Sequence, residues 1–395
     1  MPPTKTFFNP EVEKRETPFY TQMMQIRLIE DSAEWNNALL GLGATLYHSW
    51  EWGQLRSTEG WRAWRVLASD SSSPRAAVQV LQRGLPIPGL SILSAPRGIA
   101  ARPDDRESVL LIGKWLKDFV RARHAILLRM DPFLLDSDEH QRALYRDAGF
   151  VDLPDQWSRW NLPRSNMVVD IGNSKEHVLA KMARNHRGNI SRSSRSGLEI
   201  RVGSETDQFQ QFYDLLLKTS RRQAFALRTF HYYREVRDKL LRSGKGELFL
   251  AYNSGKLVAG ILCAYFSKTC HYLYGGFDWD ARQAHPNEVL HWQAIQWAKD
   301  RGCTEYDLMG SGTRYPPHEG NLGFGMYTFK KGFGAELRYL IGYFDLPGNA
   351  VLYKLFRFAE SDILRGPLYN AAVKARARLL RAPVPPEKSL KAGSA

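Results

Sequence analysis

One order of elements occurs twice along this chain: strand, helices, antiparallel strands, helix, strand. In the first pass IRLIE (26–30) reads as a strand and 31–43 as a helix, with Asp31 at the N-cap, where a carboxylate accepts free amide protons. A second helix begins in SWEWGQLRSTEGW (49–61), and 61–69, 76–86 and 90–98 alternate or run apolar like strands. A helix over 105–123, the strand AILLRMDPF (125–133) and a helix over 141–150 complete the pass, with Gly149 suited to a left-handed cap. In the second pass SNMVVDI (165–171) is a strand, 174–197 a basic helical segment capped by Ser174, and LEIRVG (198–203) a strand. Helices over 207–222 and 230–244, hairpin strands over 246–276 and a helix over 287–302 follow, then the strand TEYDLMG (304–310) and a last strand over 336–346. Runs of period two alternating with runs of period 3.6 predict an α+β layer architecture in two halves.

Length agrees. A chain of 395 residues exceeds what one core holds, and 43% apolar content suffices for two. The expected division is an N-terminal arm (1–24), a first domain (25–163), a second (164–346), a C-terminal helical segment packing on the first (347–382) and a tail (383–395). Lys and Arg exceed Asp and Glu by 55 − 41 = 14, which favours polyanionic partners. Cys263, Cys270 and Cys303 form no metal or disulfide spacing and each adjoins an apolar segment, as in a reducing compartment. The first residues lack the apolar stretch of a signal peptide, and the longest apolar run, Leu257 to Phe266, is half of a membrane-spanning helix. A soluble, cytoplasmic protein is expected.

Tyr306 to Gly334 reads as a strand end, a Gly/Pro loop and an aromatic-basic cluster, FKKGFG (329–334). Loops of this length in a compact domain are functional or disordered, and the aromatic content here argues against disorder. Lys330 and Lys331 place positive charge beside glycines that allow close backbone approach. An ordinary surface loop is the alternative.

The order of elements in the second half resembles the GNAT acyltransferase fold, so the two halves together are expected to be tandem GNAT-like domains. GNAT enzymes that use acetyl-CoA carry a Gly-rich turn whose amides hold pyrophosphate at a helix N-terminus. The corresponding segment, ARQAHPNEVLHW (281–292), has no glycine, and Pro286 removes an amide. The expected donor is therefore not a CoA thioester. SWEWGQLRS (49–57), APRG (95–98), LLRMDP (127–132), FALRTFHYY (225–233), HYLYGGFDWDAR (271–282), PNEVLHWQAIQWAK (286–299), EYDLMG (305–310) and FKKGFGAEL (329–337) fall in an order similar to the Fem family. These are the FemA/FemB/FemX-type aminoacyltransferases that build peptidoglycan interpeptide bridges.

The resemblance, which spans about residues 30–346, implies a donor, aminoacyl-tRNA, and an acceptor, the stem-peptide amine of a UDP-linked or lipid-linked peptidoglycan precursor. No long coiled-coil insertion of the kind some members carry is present. An aminoacyl ester is already activated, so no metal or cofactor is expected, and the protein has to align substrates and stabilise the tetrahedral oxyanion. Lys330 matches the family lysine for that charge, with Phe329 beside it and Lys331 as the alternative in register. Asp131 matches a carboxylate near the acceptor amine, where it would bind the ammonium or relay its proton; capping a turn before Pro132 is its other role. Arg56, and Arg228 with Tyr232, match acceptor-binding positions, and guanidinium groups suit phosphate. Tyr274, or Tyr272, is a further hydrogen-bonding candidate. For these four, surface pairing or core packing is the alternative. Arg184, Arg187 and Arg192 would offer a phosphate-binding face to tRNA, against an ordinary solvated helix face. Arg365, Lys374, Arg376, Arg378 and Arg381 could meet anionic lipid at the inner membrane face. The open alternatives are an acyl-CoA N-acyltransferase, a Fem-like enzyme with another amine acceptor, and a non-catalytic RNA-binding protein.

Overall fold

Alternation along the strands sorts side chains onto two faces, and both faces of each sheet are covered. In β3 (Ser73–Gly84) Ala77 faces one core while Val78 and Val80 face another; in β10 (Gly246–Asn253) Leu248 and Leu250 part from Phe249 and Ala251 in the same way. The computed structural model describes residues 24–360, except 72, 103, 154–162, 194–196, 224, 225, 314 and 322. All but the last residue of the expected arm (1–24), the C-terminal cations and the tail lie outside the described residues.

The first sheet has the order β1-β2-β3-β4-β6-β15-β7, with β5 beside β3. These strands are β1 (Gln25–Leu28), β2 (Arg62–Asp70), β3, β4 (Ser91–Ala95), β5 (Ala100–Ala101), β6 (Ala125–Met130), β7 (Val151–Leu153) and β15 (Tyr343–Pro347). The second has the order β14-β8-β13-β12-β11-β10-β9. Its members are β8 (Ser165–Asp170), β9 (Leu198–Val202), β10, β11 (Lys256–Phe266), β12 (Thr269–Phe277), β13 (Glu305–Gly310) and β14 (Glu336–Tyr339). Helix Arg106–Ala122 covers the outer face of the first sheet, and Pro286–Asp300 that of the second. The inner faces share one core, in which Trp35, Leu46, Tyr47 and Leu55 of the first half meet Phe209, Phe212, Tyr233 and Leu250 of the second. Burial of this apolar seam, at about 25 cal/mol per Å², holds the halves together.

Each sheet contains one parallel pair that opens at its C-terminal end. β4 and β6 pair as far as Ala95 and Met130. β12 and β13 pair only over Thr269–His271 and Glu305–Asp307 before they part. The second opening is built by Asp307: its Oδ1 accepts Met309 N at 2.7 Å, a local turn that puts Met309 at φ 61° and breaks the register with β8.

Three expectations are corrected. The last strand, read as one run over 336–346, is two: β14 ends the second sheet, and after Gly342 (φ 102°) the chain crosses back as β15 between β6 and β7. The basic segment after Ser174 is two helices, Lys175–Lys181 and Arg184–Ser193, because Met182 turns extended and Ala183 N bonds Gly332 O instead. Lys330 and Lys331 do not sit on a loop but in the last turn of a helix, Phe324–Lys331, that starts at the left-handed Gly323. Asp31 and Ser174 do cap their helices, accepting from Glu34 N and His177 N.

Candidate active site

Between the halves lies a cleft of about 740 Å³, and Arg56, Asp131, Arg228, Tyr232 and Tyr274 all line it. Helix Trp50–Ser57 brings the first of these. Ser49 caps it, Trp52 and Leu55 anchor its inner face, and Arg56 emerges at the cleft wall. Its guanidinium Nη1 pairs with Glu59, and the Trp61 ring lies between Arg56 and Arg83, 5.5 and 5.6 Å from their guanidinium carbons. Burial, then the charge of Arg228, lowers Arg56 to about 10.

Asp131 follows the last residue of β6, where the first parallel pair parts. Arg97, at the matching end of β4 and in left-handed conformation (φ 64°), donates its backbone N–H to Asp131 Oδ1 at 3.2 Å. Its buried guanidinium lies 3.6 Å from the same carboxylate. Asp131 thus has a fixed orientation and a counter-charge.

The second half supplies the opposite wall. Thr229 caps helix Phe230–Val236, Arg228 lies over the Tyr232 ring at 4.5 Å, and the Tyr232 and Tyr274 hydroxyls meet at 2.7 Å. Burial raises Tyr274 well above the usual phenol range, so its hydroxyl keeps its proton and can donate. Arg228 Nη1 also pairs with Glu59, across from the first half.

Lys330 and Phe329 are not among the cleft-lining residues. Lys330 is buried, 6% exposed, behind the floor. Its Nζ donates to Leu308 O and Gly310 O, both at 2.6 Å, and so grips the backbone on either side of Met309, which does line the cleft. Burial lowers Lys330 to about 8, against the opposing pull of Asp307. Burial alone would raise the Asp307 carboxyl. Hydrogen bonds from His271 Nδ1 (3.2 Å) and Asn166 Nδ2 (2.8 Å), with the charge of Arg97, hold it below the usual carboxylate range. A carboxylate only accepts, so the His271 proton on this bond sits on Nδ1. Phe329 is half-buried against His186, His291 and Phe333.

The three arginines of the basic helix differ. Arg184 is exposed, Arg192 is exposed and bonds Asn189 Oδ1, but Arg187 turns inward and donates to the carbonyls of Ala180 and Met182. Reading the sequence also passed over Glu59, Trp61 and Arg97. APRG carried the last only as part of a resemblance, and nothing local signals that Glu59 meets Arg228, 169 residues away. The indole N–H groups of Trp52 and Trp61, two residues of the cleft wall, are buried and have no partner among the described residues.

Residues 42–146 match the sequence profile of the FemAB family, and residues 180–316 that of the acetyltransferase (GNAT) domain. The chain is 21% identical over 376 residues to a lipid II:glycine glycyltransferase of Staphylococcus haemolyticus (strain JCSC1435), covering 77% of this chain and 88% of that protein. The enzyme of that name from Staphylococcus aureus (strain USA300) is 20% identical over 378 residues, with the same coverage. The crystal structure of FemX superposes with a TM-score of 0.76 over 84% of this chain and 99% of its own, at 18% identity, and shares the fold. Two GNAT domains facing one another across a cleft define this protein as a tandem GNAT-fold transferase. Its first half carries the FemAB family profile, and the chain resembles Fem-type proteins in sequence and fold.

Proposed function

We propose that the protein transfers an amino acid from aminoacyl-tRNA to the stem-peptide amine of a peptidoglycan precursor, lipid-linked or UDP-linked, in the cytoplasm. The observation that carries this reading is the cleft itself. Arg56 and Arg228 face it from opposite walls as anion ligands, and Asp131, held by Arg97, offers one carboxylate for an ammonium. The staphylococcal relatives, named as acting on lipid II, favour the lipid-linked acceptor.

In this reading the acceptor nitrogen attacks the ester carbonyl, the bond to the ribose oxygen breaks, and the amine's proton ends on that oxygen. Asp131 orients the ammonium and takes its first proton, which frees the lone pair for attack and passes on to solvent, while the second N–H proton goes to the ribose oxygen. Lys330 has three N–H donors, two of them on carbonyls, which leaves one for the oxyanion at the Met309 opening.

The helix after β12 supports a donor other than CoA. Pro286 is its first residue, and Glu288, in its first turn, is buried and accepts from Asn189 Nδ2 at 2.9 Å. A carboxylate there already offsets the positive end of the helix and repels a pyrophosphate. Ribonuclease added to a mixture of charged tRNA, precursor and enzyme is expected to abolish transfer, read by mass spectrometry of the precursor. CoA thioesters are expected not to replace the charged tRNA. Transfer that survives ribonuclease and rises with acetyl-CoA would make the protein an acyl-CoA N-acyltransferase.

Arg184 and Arg192 are the outward cations for the tRNA backbone. Neutralising both is expected to flatten the log–log dependence of tRNA binding on salt, by about one unit for each arginine–phosphate pair removed. Arg187→Met is expected to lower the melting temperature instead, because its guanidinium joins the two helices. An unchanged slope would place tRNA on another face.

A further inference from the structure

Glu59 places a carboxylate where the two anion-binding arginines converge. Its Oε2 accepts from Arg56 Nη1 and its Oε1 from Arg228 Nη1, so one side chain spans the cleft from the first half to the second. The Arg56 and Glu59 side chains are 16% and 20% exposed, and Arg228 is 42% exposed. Two guanidinium groups have thus been drawn together in a partly dried site, with Arg83 beyond the Trp61 ring as a third cation. Burial and the charge of Arg228 both disfavour the Arg56 cation, and Glu59 supplies the balancing negative charge.

We propose that Glu59 is an internal counter-anion that closes this subsite until a phosphate-bearing ligand displaces it. The proposal rests on the reading that Arg56 and Arg228 hold the acceptor's phosphates. Glu59 brings one negative charge and gives each arginine one oxygen. A diphosphate brings at least two charges and enough oxygens for parallel hydrogen bonds to each guanidinium, so it wins the exchange. A simple carboxylate has no such advantage: it matches Glu59 in charge but has to bind from solution, while Glu59 is tethered at high effective concentration. The gate therefore selects polyanions and holds the arginines paired when the cleft is empty.

Calorimetric titration of the full chain with inorganic pyrophosphate and with acetate tests this. The wild-type protein is expected to bind pyrophosphate and not acetate. Glu59→Gln keeps the side chain's size and removes its charge; it is expected to tighten pyrophosphate about tenfold, as the closed fraction disappears, and to make acetate binding measurable. Glu59→Ala is expected to move both affinities the same way, with melting curves recorded in parallel to show that each variant is folded. If Arg56→Met and Arg228→Met lose pyrophosphate while Glu59→Gln leaves it unchanged or weakens it, the gate is overturned and the anion site stands. If neither arginine variant changes pyrophosphate binding, the anion site and the gate both fall.

Discussion

Lys330→Met is expected to lower turnover by about 10²–10³ with little change in substrate binding, the loss typical of one oxyanion donor acting in the transition state. Lys331→Met is the control, since Lys331 is exposed on the same helix turn. Because Lys330 is buried, folding has to be followed alongside. The substitution strips Leu308 O and Gly310 O of a donor but also removes a charge that burial disfavours, so the two effects on stability oppose. The pH dependence separates chemistry from unfolding. Burial lowers Lys330 from its ordinary 10.5 to about 8 in the folded protein, so wild-type turnover is expected to fall as pH rises through that value. Between those two values the unfolded chain binds the proton more readily than the folded one, so the contribution of Lys330 to stability rises with pH. Turnover that falls while this contribution strengthens reports a lost cation and not a melting site. If both methionine variants keep wild-type turnover, Lys330 only braces the backbone around Met309.

Arg129→Met is expected to cost about 3–5 kcal/mol of stability, since it takes from two buried carboxylates the guanidinium that lies between them. Arg129 is fully buried, donates to both oxygens of the fully buried Asp345 at 2.7 and 2.8 Å, and also binds Glu360 at 2.5 and 3.0 Å. Tyr353 adds a hydrogen bond to Asp345 at 3.1 Å, which ties helix Ala350–Phe358 to the same group. The melting midpoint is expected to drop by roughly 10 °C. Combining Arg129→Met with Asp345→Leu and Glu360→Leu is expected to recover most of the loss, because apolar residues of similar volume need no counter-charge. A single variant that melts like the wild type would mean that water reaches the carboxylates.

The sheets were legible because their signal is local. Hairpin strands such as β10 and β11 run apolar between turn residues because both faces of their sheet are buried, and Asp31 and Ser174 announce their helices one residue ahead. The FKKGFG cluster was legible as chemistry but not as structure. Gly323 and Gly325 read as loop, yet the first starts a helix and the second rides on its exposed side. The burial of Lys330 was hidden because a lysine reads as surface, and the carbonyls that hold it belong to a strand about twenty residues earlier. Of the cleft, the sequence marked five residues that the fold brings together, through motifs carried on separate elements. Glu59 was beyond its reach, because its role depends on the distance between two arginines on different halves.

The return of β15 to the first sheet has a consequence for the order in which the chain is made. β6 and β7 are complete by residue 153, but the strand that pairs with both arrives only at Tyr343–Pro347. Until then the nascent first half carries two open edges and an arginine waiting for Asp345, features that invite mispairing. The second half can assemble its own sheet in the meantime, since β8 to β14 are contiguous in sequence. Synthesis from the N-terminus is therefore expected to finish the later domain first, and the cleft between them closes its walls only once nearly the whole polypeptide is free.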